Sequence, residues 1–477
     1  MERVLSVKQM VDSDNFTINH LGVPQETLVL RAGSAVAEEI IKRYHGGRVL
    51  VCIGKGNNGE DGKVIAKILS NTHGFFVTTL TVSNGIFKAF DNTYDIIVDC
   101  IFGTGLSRDV EGVYRAAIEK INKSNAKVVA CDIPSGLNGD TGLPQGISVR
   151  ANLTVAIQEY KLGHFLNDGP DYCGEIIAKD IGISIWEDDC VKKLSSTDVK
   201  KYFPKRQRNT HKGSYGKVAI IGGSKSYSGS AMLSLNALTA LKMGVGYSTL
   251  FVPESLFSVY AGVYPECIIS TLNDDKGFVK FDPSKLTETL NCKAIAIGMG
   301  IGVSEEVYKI IKFYLENYSG TLLIDADGLN TLSKFGVEVL KNKKCQVALT
   351  PHIGEFALLS NKGKQEILSN AIGCARAFAK EYNVTLALKS ATTVITDGNT
   401  IYINTTGNSA LAKAGSGDVL SGISVGVLSR ATDITEGVAA ACYLLGKGAE
   451  IACEGENEYV VTASNVVGAL GRAINLL

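Results

Sequence analysis

The stretch RVLVCIGKGNNGEDGKVIAKILSN, residues 48–71, joins an apolar strand to a helix through a glycine-rich loop. Its first six residues are typical of a buried parallel strand, and the helical pattern begins at Gly62. Related units follow in YDIIVD (94–99) and KVVACDI (127–133), with the helical segment VYRAAIEKIN (113–122) between them. This alternation predicts α/β architecture with a parallel sheet.

A second series of strands and helices begins at KVAIIGG (217–223) and continues along the rest of the chain. Between the two series, residues 191–215 are polar and basic, which is typical of a linker with a short helix. A length of 477 residues is enough for two domains that each bury a core. We therefore predict an N-terminal domain at 1–204 and a C-terminal domain at 205–477.

Composition and charge exclude several classes of protein. Lysine plus arginine and aspartate plus glutamate both number 48, so no basic bias indicates nucleic-acid binding. No apolar run reaches the roughly 18 residues of a membrane span. The 11 cysteines include several that stand singly in apolar runs, such as Cys52, Cys100 and Cys131, and none forms a C-x-x-C pair, which is typical of reduced, buried thiols. We expect a cytoplasmic protein that binds neither nucleic acid nor membrane.

The glycine loop after residue 53 is suited to a phosphate or pyrophosphate. Glycines let the backbone approach a ligand, and the N–H groups at a helix start favour anions. Gly54, Gly56 and Gly59 match the glycine spacing of a dinucleotide fingerprint, but two asparagines intervene and no acidic residue follows a second strand about 20 residues on. Classical NAD oxidoreduction is therefore disfavoured.

Two aspartates, Asp99 and Asp132, lie at the ends of the next strands. Ligands of open parallel sheets bind outside the carboxyl ends of the strands, so we expect both carboxylates to share one crevice with the glycine loop. The alternative is that each aspartate only caps the helix that follows it.

The motif Asn408-x-x-Leu411-Ala412-Lys413-Ala414-Gly415-Ser416-Gly417-Asp418 precedes an apolar helix. Successive N–H groups of Gly415, Ser416 and Gly417 can form an anion hole for a transferring phosphoryl group. Asp418 is then placed to take a proton from an attacking hydroxyl. The alternative, a plain N-cap aspartate, leaves the two glycines that flank Ser416 unexplained.

The first 200 residues resemble the epimerase half of the bifunctional NAD(P)H-hydrate repair enzymes. The resemblance is carried by Asn57-Asn58-Gly59-x-Asp61-Gly62, Val98-Asp99-x-Ile101-Phe102-Gly103-Thr104-Gly105-Leu106, Asp132-Ile133-Pro134-Ser135-Gly136 and Lys161-x-Gly163-His164. It implies a Rossmann-like three-layer domain that binds the damaged nucleotide through Asn57, Asn58, Gly59, Glu60, Asp61, Gly103, Thr104, Gly105, Leu106, Ser107, Arg108, Asp109, Tyr114 and Asp132.

The same resemblance implies a potassium ion held by Asn58, Asp99 and Ser135, whose oxygens suit a hard cation. It makes Asp132 our candidate for the proton transfer when carbon 6 is epimerised. Two positions depart from the family, which usually has glycine at Glu60 and glutamate at Leu30. A glutamate about 4 Å from a phosphate would be repelled by roughly 4 kcal/mol at an effective dielectric of about 20, unless its side chain turns to solvent.

The Ala-Gly-Ser-Gly-Asp motif resembles ribokinase-like kinases, and further motifs narrow the likeness to NAD(P)H-hydrate dehydratases. They are His211-Lys212-Gly213-x-Tyr215-Gly216, Tyr227-Ser228-Gly229, Gly298-x-Gly300-x-Gly302, Asp325-Ala326-Asp327, Thr350-Pro351-His352-x-Gly354-Glu355 and Lys389-Ser390-Ala391-Thr392-Thr393. The likeness implies a ribokinase-like α/β/α domain in which Asp418 is catalytic and the substrate is bound by Ser230, Gly300, His352 and Asp418. The nucleotide would be bound by Lys389, Ser390, Ala391, Thr392, Thr393 and Gly417. Ser230 stands where alanine is usual.

Four of these positions keep alternatives. A lone histidine such as His352 is usually structural. Asp325 and Asp327 end a strand and could meet the magnesium of a nucleotide or only bond a loop. Lys389 could bind phosphate or be a solvated lysine at a strand end.

Together the two halves imply repair of hydrated NADH and NADPH. The first would interconvert the R and S epimers, and the second would phosphorylate the carbon-6 hydroxyl of the S epimer with magnesium and ADP, ATP remaining possible. We expect a homo-oligomer that binds only small molecules. A rival is a vitamin-precursor kinase, which would use the same anion hole. A second rival is an N-terminal half that only binds, as in RNA-decapping scaffolds; Glu60 and Leu30 favour it, whereas Asn58, Asp99 and Asp132 oppose it.

Overall fold

The structure, a computed structural model, describes residues 1–84, 90, 93–187, 189–240 and 243–477. The chain divides into two compact units. The N-terminal unit is Arg3–Val191, and Lys192–Leu477 form the C-terminal unit together with Met1–Glu2.

This division falls before the 204/205 boundary expected from composition. Leu194, Val199 and Tyr202 are buried in the hydrophobic core of the C-terminal unit. The segment is polar and basic on average, but its few apolar side chains are the ones that pack, so composition alone places it in a linker.

The N-terminal unit alternates strands and helices. Its elements are β1 (Glu2–Leu5), α1 (Val7–Asn19), α2 (Gln25–Tyr44), β2 (Gly47–Ile53), α3 (Asn57–Ser70), β3 (Phe75–Thr81), β4 (Ile96–Cys100), α4 (Gly112–Lys123), β5 (Lys127–Cys131), β6 (Leu153–Ile157), β7 (Tyr160–Lys161), α5 (Gly169–Cys173) and β8 (Glu175–Lys179). The strands β3-β2-β4-β5-β6-β8 form a parallel sheet in that order. The chain passes to one side of β2 for β3 and to the other for β4, so the loop after β2 lies at the topological switch point where ligands bind.

Alternate residues of the central strands face opposite sides of this sheet. Along β2, Val49 and Val51 pack into a core with α2 and α3, whereas Leu50 and Cys52 pack into a second core with α4. Both faces are therefore covered, which explains why β2 is apolar without alternation. The three-layer architecture agrees with the prediction.

The C-terminal unit contains a larger sheet. Its elements are β9 (Val191–Lys193), α6 (Ser196–Lys200), β10 (Lys217–Ile221), α7 (Ser228–Leu235), β11 (Tyr247–Pro253), α8 (Phe257–Tyr260), β12 (Ile268–Leu272), β13 (Asp274–Asp275), β14 (Phe278–Val279), α9 (Pro283–Leu286), β15 (Ala294–Ile297), α10 (Glu305–Asn317), β16 (Thr321–Ile324), α11 (Asp327–Phe335), β17 (Gln346–Leu349), α12 (Ile353–Ser360), α13 (Lys364–Ser369), α14 (Ala371–Tyr382), β18 (Thr385–Leu388), β19 (Thr393–Thr396), β20 (Ile401–Asn404), α15 (Ser416–Leu428), α16 (Ile434–Ala452) and α17 (Ala463–Asn475).

The sheet of this unit runs in the order β12-β11-β10-β15-β16-β17-β18-β19-β20-β9. The seven strands β12-β11-β10-β15-β16-β17-β18 are parallel, and β19 pairs antiparallel with both β18 and β20. Helices α15 and α16 are buried on most faces, as their nearly uniform apolar sequences predict.

The predicted strands at 48–53, 94–99 and 127–133 are confirmed within one or two residues by β2, β4 and β5. Helix α3 begins earlier than expected, at Asn57 rather than Gly62. None of the 11 cysteines, all of which lie in the described residues, forms a disulfide, and eight of them are buried. No helix in the described part of the chain has both the length and the apolar character needed to cross a membrane.

Candidate active sites

The glycine loop of the N-terminal unit is pressed against the loop that follows β4. The Gly54 N–H donates to the Cys100 carbonyl at 3.0 Å, and a Cβ on Gly54 would lie 1.8 Å from the Ile101 carbonyl oxygen. Only glycine allows this approach. The contact brings the start of α3 beside the loop after β4.

A buried polar cluster lies where these two loops meet. The Asn58 amide donates to the Phe102 carbonyl at 2.8 Å. Asp99 accepts from the Ser135 N–H at 2.8 Å and from the Ser135 hydroxyl at 2.6 Å. The structure therefore brings Asn58, Asp99 and Ser135 together, and neither Asp99 nor its partners caps a helix.

The cluster fits a potassium ion. Asn58 Oδ1 is buried and has no hydrogen-bond partner among the described residues. Burial raises the pKa of Asp99 to about 6, although hydrogen bonds from Ser135 oppose the rise. An oxygen-rich cluster with an unpartnered acceptor and a desolvated carboxylate is the donor set that a hard monovalent cation would satisfy. Asn58, Asp99, Ser135 and the Phe102 carbonyl would hold it.

Asp132 forms a separate polar group at the end of β5. Its carboxylate pairs with the Lys161 ammonium and accepts from the Ile157 N–H at 3.0 Å. Its backbone has a φ of +67°, which costs an aspartate roughly 1–3 kcal/mol and is typical of functional positions. Asp132 is not a helix cap, so the alternative interpretation is wrong here.

His164 holds this group in place. Its Nδ1 accepts from the Lys161 N–H at 3.1 Å, so Nε2 carries the proton and donates to the Asp132 carbonyl at 2.8 Å. Burial, together with the Lys161 charge, lowers the pKa of His164 to about 4. The ring is therefore neutral and acts as a positioning group.

Two further carboxyl groups interact with Asp132. Burial and the charges of Asp132 and Asp14 raise the pKa of Asp61 to about 8. Burial raises the pKa of Asp14 to about 6, with Lys161 opposing the rise and Asp132 adding to it. Such carboxyl groups can hold a proton near neutral pH. The sequence analysis missed Asp14. This residue lies on α1 outside any recognised motif, and only the folding of the chain brings it near Asp61 and Asp132.

The remaining predicted residues of this unit differ in their burial and in their contacts. Gly103 lies against Asn58, and the Tyr114 ring packs on Phe102 with centroids 4.8 Å apart. Asn57 accepts from the Gln25 amide at 3.2 Å. Thr104 and Leu106 are half-buried, whereas Gly105, Ser107, Arg108 and Asp109 are exposed, and no described hydrogen bond connects the loop residues with Asp99 or Asp132.

The two departures from the family point to solvent. Glu60 is exposed and pairs with Lys63 at 2.7 Å. Leu30 is 55% exposed. The repulsion expected between Glu60 and a phosphate is therefore relieved by exposure and by the neighbouring ammonium.

In the C-terminal unit, Asp418 lies in the first turn of α15, and Gly415 is the N-cap with a φ of +95°. The N-cap alternative for Asp418 is therefore wrong. Burial and the nearby Asp325 charge raise the pKa of Asp418 to about 6, and a hydrogen bond with the Ser230 side chain opposes the rise. A Cβ on Gly300 would lie 3.0 Å from the Ser230 Cβ, so Asp418, Ser230 and Gly300 share one site.

Lys389 lies behind the glycine turn. Its ammonium donates to Asp325 Oδ1 at 3.0 Å, and the Ser421 hydroxyl donates to Asp325 Oδ2 at 2.7 Å. Burial alone would lower the pKa of Lys389, but the Asp325 and Glu355 carboxylates outweigh it and raise the pKa above its usual value. The solvated-lysine alternative is wrong. A Cβ on Gly417 would lie 3.3 Å from Lys389 Nζ, so the lysine is within reach of an anion on the turn.

Ala326, which lies between Asp325 and Asp327, has a strained backbone. Ala326 has a φ of +49°, and Asp327 Oδ2 accepts from the Gly302 N–H at 2.8 Å. Asp327 thus bonds a loop, one of its two predicted roles. Strain of about 1–3 kcal/mol at Ala326 is retained where neighbouring contacts fix the backbone, as they do here.

His352 is the N-cap of α12 and accepts from the Glu355 N–H at 3.1 Å. Its Nδ1 is used in this bond, while 61% of the side chain is exposed. It pairs with Lys389 in a short parallel bridge, which places it beside the turn. Of the predicted nucleotide residues, Ser390 and Ala391 are exposed, and Thr392 and Thr393 are buried.

Magnesium fits this site only when it is bound to the phosphates of a nucleotide. Both Asp325 oxygens are already engaged, and no group of three potential metal-ligating side chains occurs among the described residues. Mg²⁺ is commonly held by substrate phosphates and water with one or two carboxylates. Ser416 Oγ is buried with no described hydrogen-bond partner at the helix start, which leaves a polar group free for such a ligand.

Comparisons with solved structures show the class of protein. The C-terminal part resembles an ADP/ATP-dependent NAD(P)H-hydrate dehydratase from Bacillus subtilis crystallised with ATP and Mg²⁺, with a TM-score of 0.51 and 26% identity over 60% of this chain and 98% of that one. A ribokinase-like superfamily protein from Enterococcus faecalis shows the same fold with a TM-score of 0.52 and 24% identity, covering 61% of this chain and 98% of that one. The C-terminal unit therefore has a ribokinase-like fold, and it follows a Rossmann-like domain in the same chain.

The family follows from sequence. The NAD(P)H-hydrate dehydratase model matches residues 218–470, and the YjeF-related protein N-terminus model matches 25–89 and 81–163. The bifunctional NAD(P)H-hydrate repair enzyme of Thermofilum pendens is 31% identical, covering 100% of this chain and 97% of that protein. The enzyme of the same name from Dictyoglomus turgidum is also 31% identical, covering 90% and 89%. The chain belongs to the family of bifunctional NAD(P)H-hydrate repair enzymes.

Proposed function

We propose that this protein repairs hydrated NADH and NADPH in two steps. The N-terminal unit interconverts the R and S epimers at carbon 6, and the C-terminal unit dehydrates the S epimer at the expense of a nucleotide. The observation that carries this proposal is the presence in one chain of two separate polar sites, each centred on a carboxyl group whose environment suits proton transfer.

Epimerisation must break a bond at carbon 6 and remake it on the other face of the ring. Asp132 is suited to accept the proton that water releases when it adds to carbon 6 from the other face, because its carboxylate pairs with Lys161 and His164 fixes its backbone. Asp61 can supply a proton to the departing oxygen, since its raised pKa of about 8 keeps it protonated at neutral pH. The nucleotide lies along the start of α3 and the residues 103–109. K⁺, when bound, supplies positive charge that keeps Asp99 ionised and fixes the two loops.

Dehydration begins with transfer of a phosphoryl group to the carbon-6 hydroxyl. Asp418 accepts the hydroxyl proton as the oxygen attacks phosphorus, and its pKa of about 6 makes it a base at neutral pH. The N–H groups at the start of α15 stabilise the transferred group, and Lys389 adds positive charge beside Gly417. Phosphate then leaves carbon 6 with its bonding electrons, and loss of a proton from carbon 5 restores the double bond.

ADP is the proposed phosphoryl donor, with Mg²⁺ bound to its phosphates. ATP is the alternative donor, because the similar Bacillus subtilis protein is an ADP/ATP-dependent dehydratase that was crystallised with ATP and Mg²⁺. We further propose a cytoplasmic homo-oligomer. The free cysteines support a reducing compartment.

The test follows absorbance at 340 nm after the protein receives a mixture of both NADHX epimers, Mg²⁺ and either ADP or ATP. We expect full recovery of NADH with the true donor. Asp132→Asn should recover only the competent epimer, and Asp418→Asn should recover none within the time that the wild type needs. No recovery with either donor would refute the proposal in favour of a vitamin-precursor kinase, whereas recovery of one epimer by the wild type would make the N-terminal unit a binding module.

A further inference from the structure

A cationic cavity lies in the C-terminal unit, away from the glycine turn. It has a volume of about 830 Å³ and is lined in part by Phe203, Lys205, Arg206, Tyr215 and Arg430. This size falls within the range of small-molecule sites. The basic segment near residue 205 lines part of this cavity. The sequence analysis assigned this segment to a linker, and the proposed repair reaction gives it no role.

Two guanidinium groups converge on one loop of this cavity. Arg206 Nη2 donates to the Gly244 carbonyl at 2.5 Å, and Arg430 Nη1 donates to the Met243 carbonyl. A Cβ on Gly244 would lie 2.9 Å from Arg206 Nη2 and 3.2 Å from Arg430 Nη1. The two nitrogens are therefore at most about 6 Å apart, the span of two N–H···O bonds of about 2.9 Å to a shared anion.

Arg430 is the less satisfied of the two. Its Nε and Nη2 are buried and have no hydrogen-bond partner among the described residues. Burial and the Arg206 charge lower the pKa of Arg430 to about 10. Glu266 also lines the cavity, but no ion pair joins it to either arginine in the described ranges. Unused donors and like-charge repulsion would both be relieved by an anion.

Aromatic rings hold the guanidinium groups in place. Arg206 lies 3.9 Å from the centroid of the Tyr215 ring, and Arg430 lies 4.8 Å from that of Phe203. Stacked guanidinium groups are pre-organised for phosphate oxygens. The site is distinct from the catalytic one, because Arg430 follows the end of α15, whose thirteen residues span about 20 Å from the start that carries Asp418.

We propose that Arg206 and Arg430 form a second anion site that binds the phosphoryl group of a small molecule. The volume exceeds what one phosphate needs, so the remaining space would accept an organic part such as a nucleoside. The shared chemistry is the phosphoryl group, whether it belongs to inorganic phosphate or to a phosphate ester.

The test is equilibrium dialysis of the full chain with radiolabelled inorganic phosphate and, separately, with AMP, at constant ionic strength in chloride. Arg206→Met and Arg430→Met should each weaken one class of binding site about 10- to 100-fold, the loss expected for charge-assisted hydrogen bonds. Arg472→Met is the matched control, because Arg472 is a surface arginine of α17 paired only with Glu454 among the described residues. Its binding should equal that of the wild type.

Arg206 is exposed, so Arg206→Met should fold and keep dehydratase activity even if Arg430→Met does not fold. AMP binding tighter than phosphate would support the proposal with an ester as ligand, and equal affinities would support it with phosphate as ligand. Wild-type affinity and site number in Arg206→Met would overturn it, as would an equal loss in Arg472→Met.

Discussion

Replacing Ser230 by alanine should move the acid limb of the dehydratase pH profile upward. The Ser230 hydroxyl bonds the Asp418 carboxylate and thereby favours the ionised form. Removing this bond raises the pKa of Asp418, so less of the enzyme carries the deprotonated base at any pH below neutrality. Alanine is the residue that the resemblance to NAD(P)H-hydrate dehydratases implies at this position, so the variant also tests whether Ser230 lets this chain work at lower pH.

The size of the shift follows from the bond that is lost. A hydrogen bond to a charged group contributes about 1.5–3 kcal/mol, and Ser230 is half-buried, so the low end applies. Since one pKa unit corresponds to about 1.4 kcal/mol, we expect a shift of about one unit. With a wild-type pKa of about 6, kcat/KM at pH 6, expressed as a fraction of each enzyme's own plateau, should be about fivefold lower in the variant than in the wild type, with little difference at pH 8.

The assay is kcat/KM for the S epimer between pH 5 and pH 9, followed at 340 nm and normalised to each enzyme's own plateau. Ser234→Ala is the matched control, because Ser234 lies one turn later on α7 and its hydroxyl donates to the Asp418 carbonyl at 2.9 Å, not to the carboxylate. An unmoved limb in Ser230→Ala, or an equal shift in Ser234→Ala, would refute the assignment of Asp418 as a base tuned by Ser230.

Three other predictions address stability. Gly54→Ala should destabilise the N-terminal unit by about 2–3 kcal/mol in urea unfolding, because the new Cβ would overlap a carbonyl. Gly56→Ala is the control and should be nearly neutral, because no atom lies within 4 Å of its new Cβ. Equal effects of the two substitutions would contradict this reasoning. Replacing tetramethylammonium by K⁺ at 100 times its Kd should stabilise the N-terminal unit by about 2.7 kcal/mol, and Asp99→Asn should abolish the effect; a K⁺ effect that survives would rule out the proposed ligands. Lys389→Met should lower the free energy of unfolding by about 3–5 kcal/mol, because it leaves the buried Asp325 carboxylate without its ion-pair partner. Lys341→Met is the control and should change the unfolding midpoint little, because Lys341 forms an exposed ion pair. Similar midpoints in both variants would show that the buried ion pair does not stabilise the fold.

Much of the fold could be predicted because its signals are local. The apolar run of β2 and the uniform apolar sequences of α15 and α16 follow from burial on more than one face, which a sequence shows directly. The ends of helices were harder to predict from the sequence. Helix α3 begins at Asn57 because its first turn packs against the loop after β4, and Gly59 and Gly62, poor helix formers, conceal that start in the sequence.

The sequence by itself determined which residue types could do the chemistry. The glycine turn before Asp418, and the strand-end positions of Asp99 and Asp132, were readable because a parallel sheet brings its carboxyl ends to one edge. Tertiary structure alone decided the partners: Lys161 with Asp132, Lys389 with Asp325, Asp14 beside Asp61, and Arg206 with Arg430. Each of these pairs is distant in sequence, and the pKa of a buried group depends on charges and burial that arise only when the chain has folded.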